Sequence, residues 1–299
     1  MSDSRLFPLL PVTRDDLAAL VGDTIVAIER VDGGLTNTIH RVVLASGEAL
    51  AVKHYAGGVQ GYQDELTTLR KLATILPVPG VVVADERQHA IVYRWIVGTT
   101  LDDCRRRQSP AAFISIAEPL GRLLAWVARV DAPGGWELAP ILEQARTQLT
   151  VGRARERLGA PASDALLRAF DAFADRMAWG ALCLSHGDFG SRNVLVQRAD
   201  GERWRISGVI DWETMAAGSP LVDIGSLFRH GHRFDATFRA DFERGYREAD
   251  GELPENWFET ARLLDATWLV DTLDEDRELP GVFADCRMLI GRLVAELAS

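Results

Sequence analysis

The amino-acid sequence predicts an α+β fold in two lobes, a small lobe built on an antiparallel sheet and a larger, mainly helical lobe. Short strand-like runs dominate the first 97 residues, and apolar residues at helical spacing dominate the rest. No internal repeat or low-complexity linker interrupts either part. We therefore expect a first lobe at 1–97 and a second at 98–299.

The first lobe begins with a short helix. Thr13 followed by Asp16 is a capping-box start, and Gly22 is a helix end. Three strand-like runs follow, at 24–31, 38–45 and 49–56. A Ser-Gly-Glu turn joins the last two as a hairpin. The remaining elements expected in this lobe are a helix and two strands, at 62–76, 81–84 and 89–95.

The second lobe is expected to be helical around a strand-rich middle. Ser109-Pro110 opens a helix to about residue 130 that is kinked at Pro119. Two more helices fit 140–158 and 163–178. Strand-like segments come next, and they comprise an apolar run before residue 186 and a hairpin formed by 193–197 and 204–211. Ser219-Pro220 then starts a helical remainder.

Composition excludes several classes of protein. The 299 residues carry 33 basic and 43 acidic side chains, a net charge of −10, which argues against a nucleic-acid partner. Cys104, Cys183 and Cys286 are odd in number and widely spaced, as expected of reduced thiols in a cytoplasmic protein. The N-terminus lacks a signal-peptide pattern, and no apolar run is long enough to span a membrane.

Two polar segments carry the strongest chemical signal. Residues 186–193 read HGDFGSRN, between two strand-like runs, and residues 209–213 read VIDWE at the end of the next hairpin. Phosphoryl transfer needs a carboxylate near the attacking hydroxyl and oxygen ligands for Mg²⁺. Asp188, Asn193 and Asp211 are of the right types. Either segment alone would be explained more simply as a turn or as the end of a strand. The two segments occur together here, in this order along the chain, which favours the catalytic interpretation.

The two segments resemble the H-G-D-x-x-x-x-N and I-D-[WF]-E motifs of the aminoglycoside phosphotransferase and choline kinase superfamily, relatives of the protein kinases. The resemblance covers roughly residues 24–230. It implies a bilobal protein-kinase-like fold that uses ATP and Mg²⁺. It further implies that Asp188 is the catalytic base, that Asn193 and Asp211 ligate the metal, and that His186 braces the loop.

A lysine and a glutamate in the first lobe support this assignment. Lys53 lies in the middle of a strand-like run, and Glu65 falls on the apolar stripe of the helix expected at 62–76. A carboxylate aimed into an apolar face needs a partner, and Lys53 is the nearest candidate. Alone, Lys53 reads as a solvated strand residue. Together the two resemble the kinase strand-lysine and helix-glutamate pair, which implies that Lys53 reaches the nucleotide phosphates.

Two further segments are candidates for nucleotide binding. Paired glycines before Leu35 let a backbone approach phosphates, and the segment resembles the GG-x-[ST]-N loop of choline kinase-like proteins. The candidate loop residues are Gly34, Leu35, Thr36 and Asn37. The run 91–101 resembles the hinge of the family, where the backbone of Arg94 and Ile96 would bind adenine. The simpler alternative for the glycine segment is a hairpin turn, and for the run 91–101 it is an edge strand that leaves the sheet.

The acceptor is expected to be a small alcohol. Only 212–218 separate Asp211 from the next helix start, which leaves no room for a segment that docks a peptide. A helix at 255–275 carries Trp268, Asp271 and Asp274, which could bind an amine, although a solvated acidic face is the simpler alternative. Asp223, in a stretch like the family D-P-x-x-D motif, would buttress the catalytic loop.

The sequence therefore predicts an ATP-dependent kinase of a small-molecule hydroxyl, similar to aminoglycoside phosphotransferases. A choline, thiamine, homoserine or sugar kinase stays open. From another class, a nucleotide-binding module without turnover also stays open. All of the polar residues that the kinase assignment requires are present, which argues against a module without turnover. They are Lys53, Glu65, Asp188, Asn193 and Asp211.

Overall fold

The computed structural model describes residues 7–31, 36–132, 134–199 and 203–298. The chain divides into two compact units, of which the first is Met1–Ala112 with Arg192–Met215 and the second is Phe113–Ser191 with Ala216–Ser299. The segment 186–193 therefore runs from the second unit into the first. The division into functional lobes at residue 97 stays a prediction.

The first unit contains an antiparallel sheet of five strands in the order β1-β2-β3-β5-β4. The strands are β1 Ile25–Val31, β2 Thr38–Leu44, β3 Ala49–His54, β4 Val81–Asp85 and β5 Ala90–Arg94. Helix α1, Arg14–Val21, has the predicted Thr13 capping box and ends at Gly22 in the left-handed conformation. Helix α2, Val59–Leu72, lies between β3 and β4 in the chain.

Alternation along β3 decides which side chains meet each helix. Leu50 and Val52 belong to the core cluster that contains the buried leucines of α1. Ala51 belongs to a second cluster, together with Tyr62 and Leu66 of α2. Because successive strand residues point to opposite faces, Lys53 lies on the α2 side of the sheet. This alternation positions the lysine that the sequence singled out.

A smaller sheet and a helix complete the first unit. Its strands are β6 Thr99–Thr100, β8 Val194–Arg198 and β9 Trp204–Val209, and α3 is Leu101–Arg107. The sheet order is β6-β8-β9, so the predicted hairpin is present as β8 and β9. At the end of β9 the Val209 N–H donates to the Pro77 carbonyl at 2.8 Å.

The second unit is mainly helical. Its helices are α4 Pro110–Ile114, which begins at the boundary, α5 Ala117–Val127, α6 Leu138–Val151, α7 Arg153–Leu158, α8 Ala160–Met177, α9 Leu221–Leu227, α10 Ala236–Glu248, α11 Trp257–Asp274 and α12 Pro280–Leu297. Two short strands, β7 Cys183–Ser185 and β10 Ala216–Gly218, pair antiparallel. Helix α11 is buried around most of its circumference, as the central helix of a helical core is expected to be.

Three helix predictions were wrong in detail. The single kinked helix expected at 110–130 is instead two helices, α4 and α5. Pro119 lies in the first turn of α5. Backbone N–H groups in a first turn have no acceptor within the helix, so the N–H that proline lacks is not needed there. The helix expected at 140–158 divides at Gly152 into α6 and α7. The helix expected at 62–76 lies at 59–72 and begins after Gly58, whose φ of 99° suits glycine.

The fold-class prediction is otherwise upheld, with a five-stranded antiparallel sheet in the first unit and helices dominating the second. Cys104, Cys183 and Cys286 are free thiols, and all three are buried. Within the described ranges, no helix combines the length and hydropathy that crossing a bilayer requires.

A close helix crossing predicts an effect on stability. A methyl group at Gly121 of α5 would overlap the Phe242 carbonyl of α10 and lie 2.6 Å from the Tyr246 nitrogen. We expect Gly121→Ala to lower the free energy of unfolding by about 3 kcal/mol, because the helices cannot separate without losing core contacts. Gly291→Ala is the matched control, since nothing lies within 4 Å of its added carbon. That helical position should gain about 0.5–1 kcal/mol. Urea unfolding measures both, and equal shifts would contradict the crossing.

Candidate active site

A buried lysine lies at the centre of a charged cluster in the first unit. The Lys53 side chain is 1% exposed, and its Nζ lies 2.5 Å from Glu65 Oε2 and 2.5 Å from Asp211 Oδ1. A third carboxylate, Glu213 Oε2, lies 3.5 Å from the same nitrogen. The pair that the sequence predicted between Lys53 and Glu65 is therefore present. Asp211 joins it from the end of the β8–β9 hairpin.

Local structure explains why these side chains converge. Glu65 is fully buried on the face of α2 that also carries Leu66 and Leu69. Asp211 follows β9 with a φ of 70°, a left-handed conformation that aspartate tolerates better than most residues. The next residue, Trp212, is fully buried, and its indole N–H donates to the Val209 carbonyl at 3.0 Å. The buried indole anchors the turn that presents Asp211.

The carboxylates keep the buried lysine charged. Burial alone lowers the pKa of Lys53, but the charges of Asp211 and Glu65 outweigh it and raise that pKa well above its ordinary value. Burial raises the pKa of Glu213, while Lys53 opposes the rise. Burial likewise raises the pKa of Tyr55, whose hydroxyl donates to Glu65 Oε2 at 2.5 Å. Lys53 is thus a permanent cation at neutral pH.

The same cluster offers oxygen ligands for a cation. Carboxylate oxygens of Glu65, Asp211 and Glu213 all lie within 4.8 Å of one another. Hard oxygen donors of this kind are those that Mg²⁺ prefers. Asn193 lies just before β8, and its backbone carbonyl accepts from the N–H of Ile210, the residue before Asp211, at 2.9 Å. Glu213 was not singled out from the sequence, although it is the last residue of the IDWE segment that carried the resemblance.

The predicted catalytic loop in the second unit is held by Asp223 of α9. Asp223 Oδ2 accepts from the His186 N–H at 2.8 Å, and Oδ1 accepts from the Ser185 hydroxyl and the Gly187 N–H at 2.9 and 3.1 Å. The expectation that Asp223 buttresses this loop is confirmed. His186 is itself fully buried, and its Nδ1 accepts from the Asp188 N–H at 3.3 Å.

Asp188 presents its carboxylate towards solvent. Its side chain is 49% exposed, and Arg229 Nη1 lies 3.7 Å from its Oδ1. Because its backbone is held through His186, the carboxylate is presented from a fixed point. Sequence reasoning missed Arg229, since it lies 41 residues from Asp188 and matches no motif considered.

The predicted nucleotide loop is only partly described. Gly34 and Leu35 lie outside the described residues. Thr36 is described, and Asn37 is 6% exposed. The Asn37 side-chain amide donates to Glu213 Oε2, and its oxygen accepts from the Ala56 N–H at 3.3 Å. Asn37 therefore ties the end of this loop to the turn that follows Asp211.

The predicted hinge residues lie where β5 ends. Arg94 is the last residue of β5, and its backbone N–H donates to the Gly80 carbonyl at 3.0 Å. Ile96 follows two residues later, and its side chain covers Gly208 of β9, where an added carbon would lie 2.5 Å from Ile96 Cδ1. A larger residue at 208 would require the end of the Ile96 side chain to move.

The acids expected on α11 bind neighbouring helices. Asp271 Oδ1 accepts from the side-chain amides of Gln144 and Gln148, at 2.8 Å each. Asp274 Oδ1 accepts from the Ala154 N–H in the first turn of α7, at 3.0 Å. The two interpretations from the sequence were an amine-binding site and a solvated acidic surface, and neither included these hydrogen bonds. The two acids connect α11 to α6 and α7.

The buried pair predicts a large effect of one neutral substitution. Glu65→Gln should lower the free energy of unfolding by about 2–3 kcal/mol, because a charge-assisted bond to Lys53 becomes a neutral one. Asp64→Asn, at the adjacent position, is the control: its carboxylate accepts from Gln60 at the exposed surface. It should change stability by about 0.5 kcal/mol or less. Thermal and urea unfolding of both variants measure the difference in stability. A similar loss of stability in the two variants would contradict the buried pair.

Comparisons with known proteins identify the class. Residues 27–261 match the model of the phosphotransferase enzyme family. A viomycin phosphotransferase from Streptomyces vinaceus is 26% identical over 245 residues, which cover 73% of this chain and 79% of that protein.

Solved structures show the same fold. The aminoglycoside phosphotransferase APH(4)-Ia, solved as a thermostable mutant with ADP and hygromycin B, aligns with a TM-score of 0.66 and 19% identity, covering 96% of this chain and 99% of that one. A choline kinase, LicA from Streptococcus pneumoniae, aligns with a TM-score of 0.66 and 15% identity, covering 95% and 97%.

The fold and the charged cluster define a small-molecule kinase with the protein-kinase-like fold. The chain belongs to the phosphotransferase enzyme family, and its activity is ATP-dependent transfer of phosphate to a small-molecule hydroxyl.

Proposed function

We propose that this protein transfers the γ-phosphate of ATP, bound with Mg²⁺, to a hydroxyl group of an amine-bearing or polyhydroxylated small molecule. The observation that carries the proposal is the contact of Lys53 with both Glu65 and Asp211 at 2.5 Å. A buried cation between two carboxylates is the arrangement expected of a site that exchanges its internal partners for a triphosphate and a metal.

Each candidate site residue of the first unit has a role in this proposal. Lys53 binds the nucleotide phosphates, and Glu65 holds it in place. Asp211 and Asn193 ligate the metal, with Glu213 as a further carboxylate at the same turn. When bound, Mg²⁺ neutralises charge on the phosphates. The loop that comprises Gly34, Leu35, Thr36 and Asn37 covers the phosphates, and backbone groups of Arg94 and Ile96 bind adenine.

Asp188 is the proposed catalytic base. It accepts the proton of the acceptor hydroxyl as the oxygen bonds to the γ-phosphorus and the bond to the ADP leaving oxygen breaks. Its half-exposed carboxylate is accessible to a small alcohol, and the Asp223 bonds keep its loop backbone still. His186 supports the loop from a buried position.

Two observations favour an acceptor of this kind. The relative from Streptomyces vinaceus is named a viomycin phosphotransferase, and the chain covers most of its length. The net charge of −10 also suits a cationic acceptor. The acids of α11 do not contribute to this argument, because Asp271 and Asp274 are bonded to neighbouring helices.

An acceptor screen tests the proposal. Purified protein is incubated with ATP and Mg²⁺ and with viomycin, hygromycin B, choline, thiamine, homoserine or simple sugars, and ADP release is followed. We expect acceptor-dependent release with at least one amine-bearing compound and none when Mg²⁺ is chelated. ATP binding without ADP release above the rate in water for any acceptor would reject the kinase and favour a nucleotide-binding module.

A further inference from the structure

Arg229, just beyond the end of α9, is held rigidly by α11. Its Nε lies 2.9 Å from Asp265 Oδ2, and its Nη2 lies 2.8 Å from Asp265 Oδ1. Such a two-point pair between guanidinium and carboxylate fixes the direction of the side chain within its plane. The Asp265 side chain is only 5% exposed, so the pair is shielded from water.

An aromatic ring fixes the plane itself. The Arg229 guanidinium carbon lies 4.3 Å from the ring centre of Trp268, in the range of a cation–π contact. Trp268 and Asp265 are three residues apart on α11, so they lie on one face of the helix. One helix face therefore sets both the direction and the plane of the guanidinium.

The third nitrogen of this fixed group is aimed at Asp188. Because Nε and Nη2 are engaged by Asp265, Nη1 is the nitrogen left over from that pair, and it lies 3.7 Å from Asp188 Oδ1. Burial alone lowers the pKa of Arg229, but Asp265 reverses this and raises it above its ordinary value. A charged donor therefore stands beside the proposed base.

A glycine in α9 makes the arrangement possible. An added carbon at Gly225 would overlap the carbonyl oxygen of Ala261 in α11 and lie 3.0 Å from Asp265 Cβ. The two helices thus approach backbone to backbone, and Arg229 reaches Asp265. Asp223, near the start of α9, holds the loop backbone, while Arg229, past its end, faces the side chain of Asp188.

We infer that Arg229 is a positioning residue, which holds the Asp188 carboxylate in the orientation that accepts the hydroxyl proton and is itself held by Asp265 and Trp268. This inference rests on the proposed role of Asp188. The charge of Arg229, 3.7 Å from Asp188 Oδ1, favours carboxylate rotamers that face it, and a misplaced base loses rate without losing nucleotide affinity. Through this contact, the α11 face influences the reacting group.

Arg262 supplies a control with the same chemistry. It is 5% exposed, pairs with Glu296, and its guanidinium lies 5.0 Å from the ring centre of Phe258. Like Arg229, it is an arginine of the second unit, largely shielded from water, with an acidic and an aromatic partner. No described contact joins it to Asp188. Its loss should cost stability alone.

The experiment compares Arg229→Gln, Arg229→Lys, Asp265→Asn and Arg262→Gln in steady-state ATP turnover with viomycin as acceptor, or with water where viomycin is not turned over. We expect Arg229→Gln to lower kcat about tenfold or more, with the KM for ATP changed by less than about twofold. Arg229→Lys should recover part of kcat. Asp265→Asn should lower kcat although it does not touch Asp188. Arg262→Gln should lower Tm and leave kcat within about twofold.

Two results would overturn the inference: unchanged kcat in Arg229→Gln, or an equal loss of kcat in Arg262→Gln. If the wild-type protein turns over no ATP at all, the proposed function fails separately. The contact is then judged by the Tm values of Asp188→Asn, Arg229→Gln and the double variant. Shifts that do not add support it, and additive shifts reject it.

Discussion

Asp188→Ala is expected to lower kcat by a factor on the order of 10² to 10⁴ while ATP still binds. The physical reason is that the substitution removes the group proposed to accept the hydroxyl proton and leaves the first-unit cluster of Lys53, Glu65 and Asp211 intact. Initial rates of ADP release with a turned-over acceptor measure the loss, and calorimetry with ATP measures binding.

Asp276→Ala is a suitable control for this substitution. It removes a surface carboxylate that is 82% exposed and pairs with Arg153, so it changes the net charge equally. Its rate should stay near that of the unchanged protein. Full turnover in Asp188→Ala would show that Asp188 is not the base.

Asp211→Ala is expected to abolish the increase in nucleotide affinity that Mg²⁺ provides. Asp211 supplies a carboxylate oxygen at the only group of three acidic side chains that the described residues bring together within ligand distance. Without it, the remaining acids Glu65 and Glu213 are engaged by Lys53, Tyr55 and Asn37. Calorimetric titration with AMP-PNP, with and without Mg²⁺, measures the difference.

The matched control here is Asp64→Ala, which removes an acid from the exposed surface of α2 in the same unit. Its Mg²⁺ dependence should equal that of the unchanged protein. If Mg²⁺ tightens AMP-PNP binding normally in Asp211→Ala, the metal assignment is wrong. Manganese can replace magnesium in a parallel titration, because both prefer oxygen ligands.

Much of the first unit could be predicted from the sequence, because its signals are local. The Thr13 capping box, the turn before β3 and the alternation in the strands depend on neighbouring residues, and they were predicted correctly. The position of Glu65 on an apolar stripe predicted a buried partner, since an unpaired buried carboxylate is costly. Local patterning was sufficient for that inference.

Contacts between distant residues could not be predicted in the same way. Arg229 reaches Asp188 and Asp265 only because α9 packs closely on α11 at Gly225. The acids Asp271 and Asp274 look solvated in a helical projection, and their partners lie more than 100 residues away in the chain. Helix packing decides these contacts, and apolar spacing alone does not specify which helices meet.

The two partners of Lys53 have a consequence for the protein without nucleotide. Since Glu65 and Asp211 already compensate its charge, the first unit needs no bound anion to tolerate a cation in its interior. If Asp211 turned to a bound metal, as proposed, Lys53 would keep its contact with Glu65, and a bound triphosphate would supply the negative charge that Asp211 had provided. The interior charge balance can therefore be kept through the whole exchange of ligands.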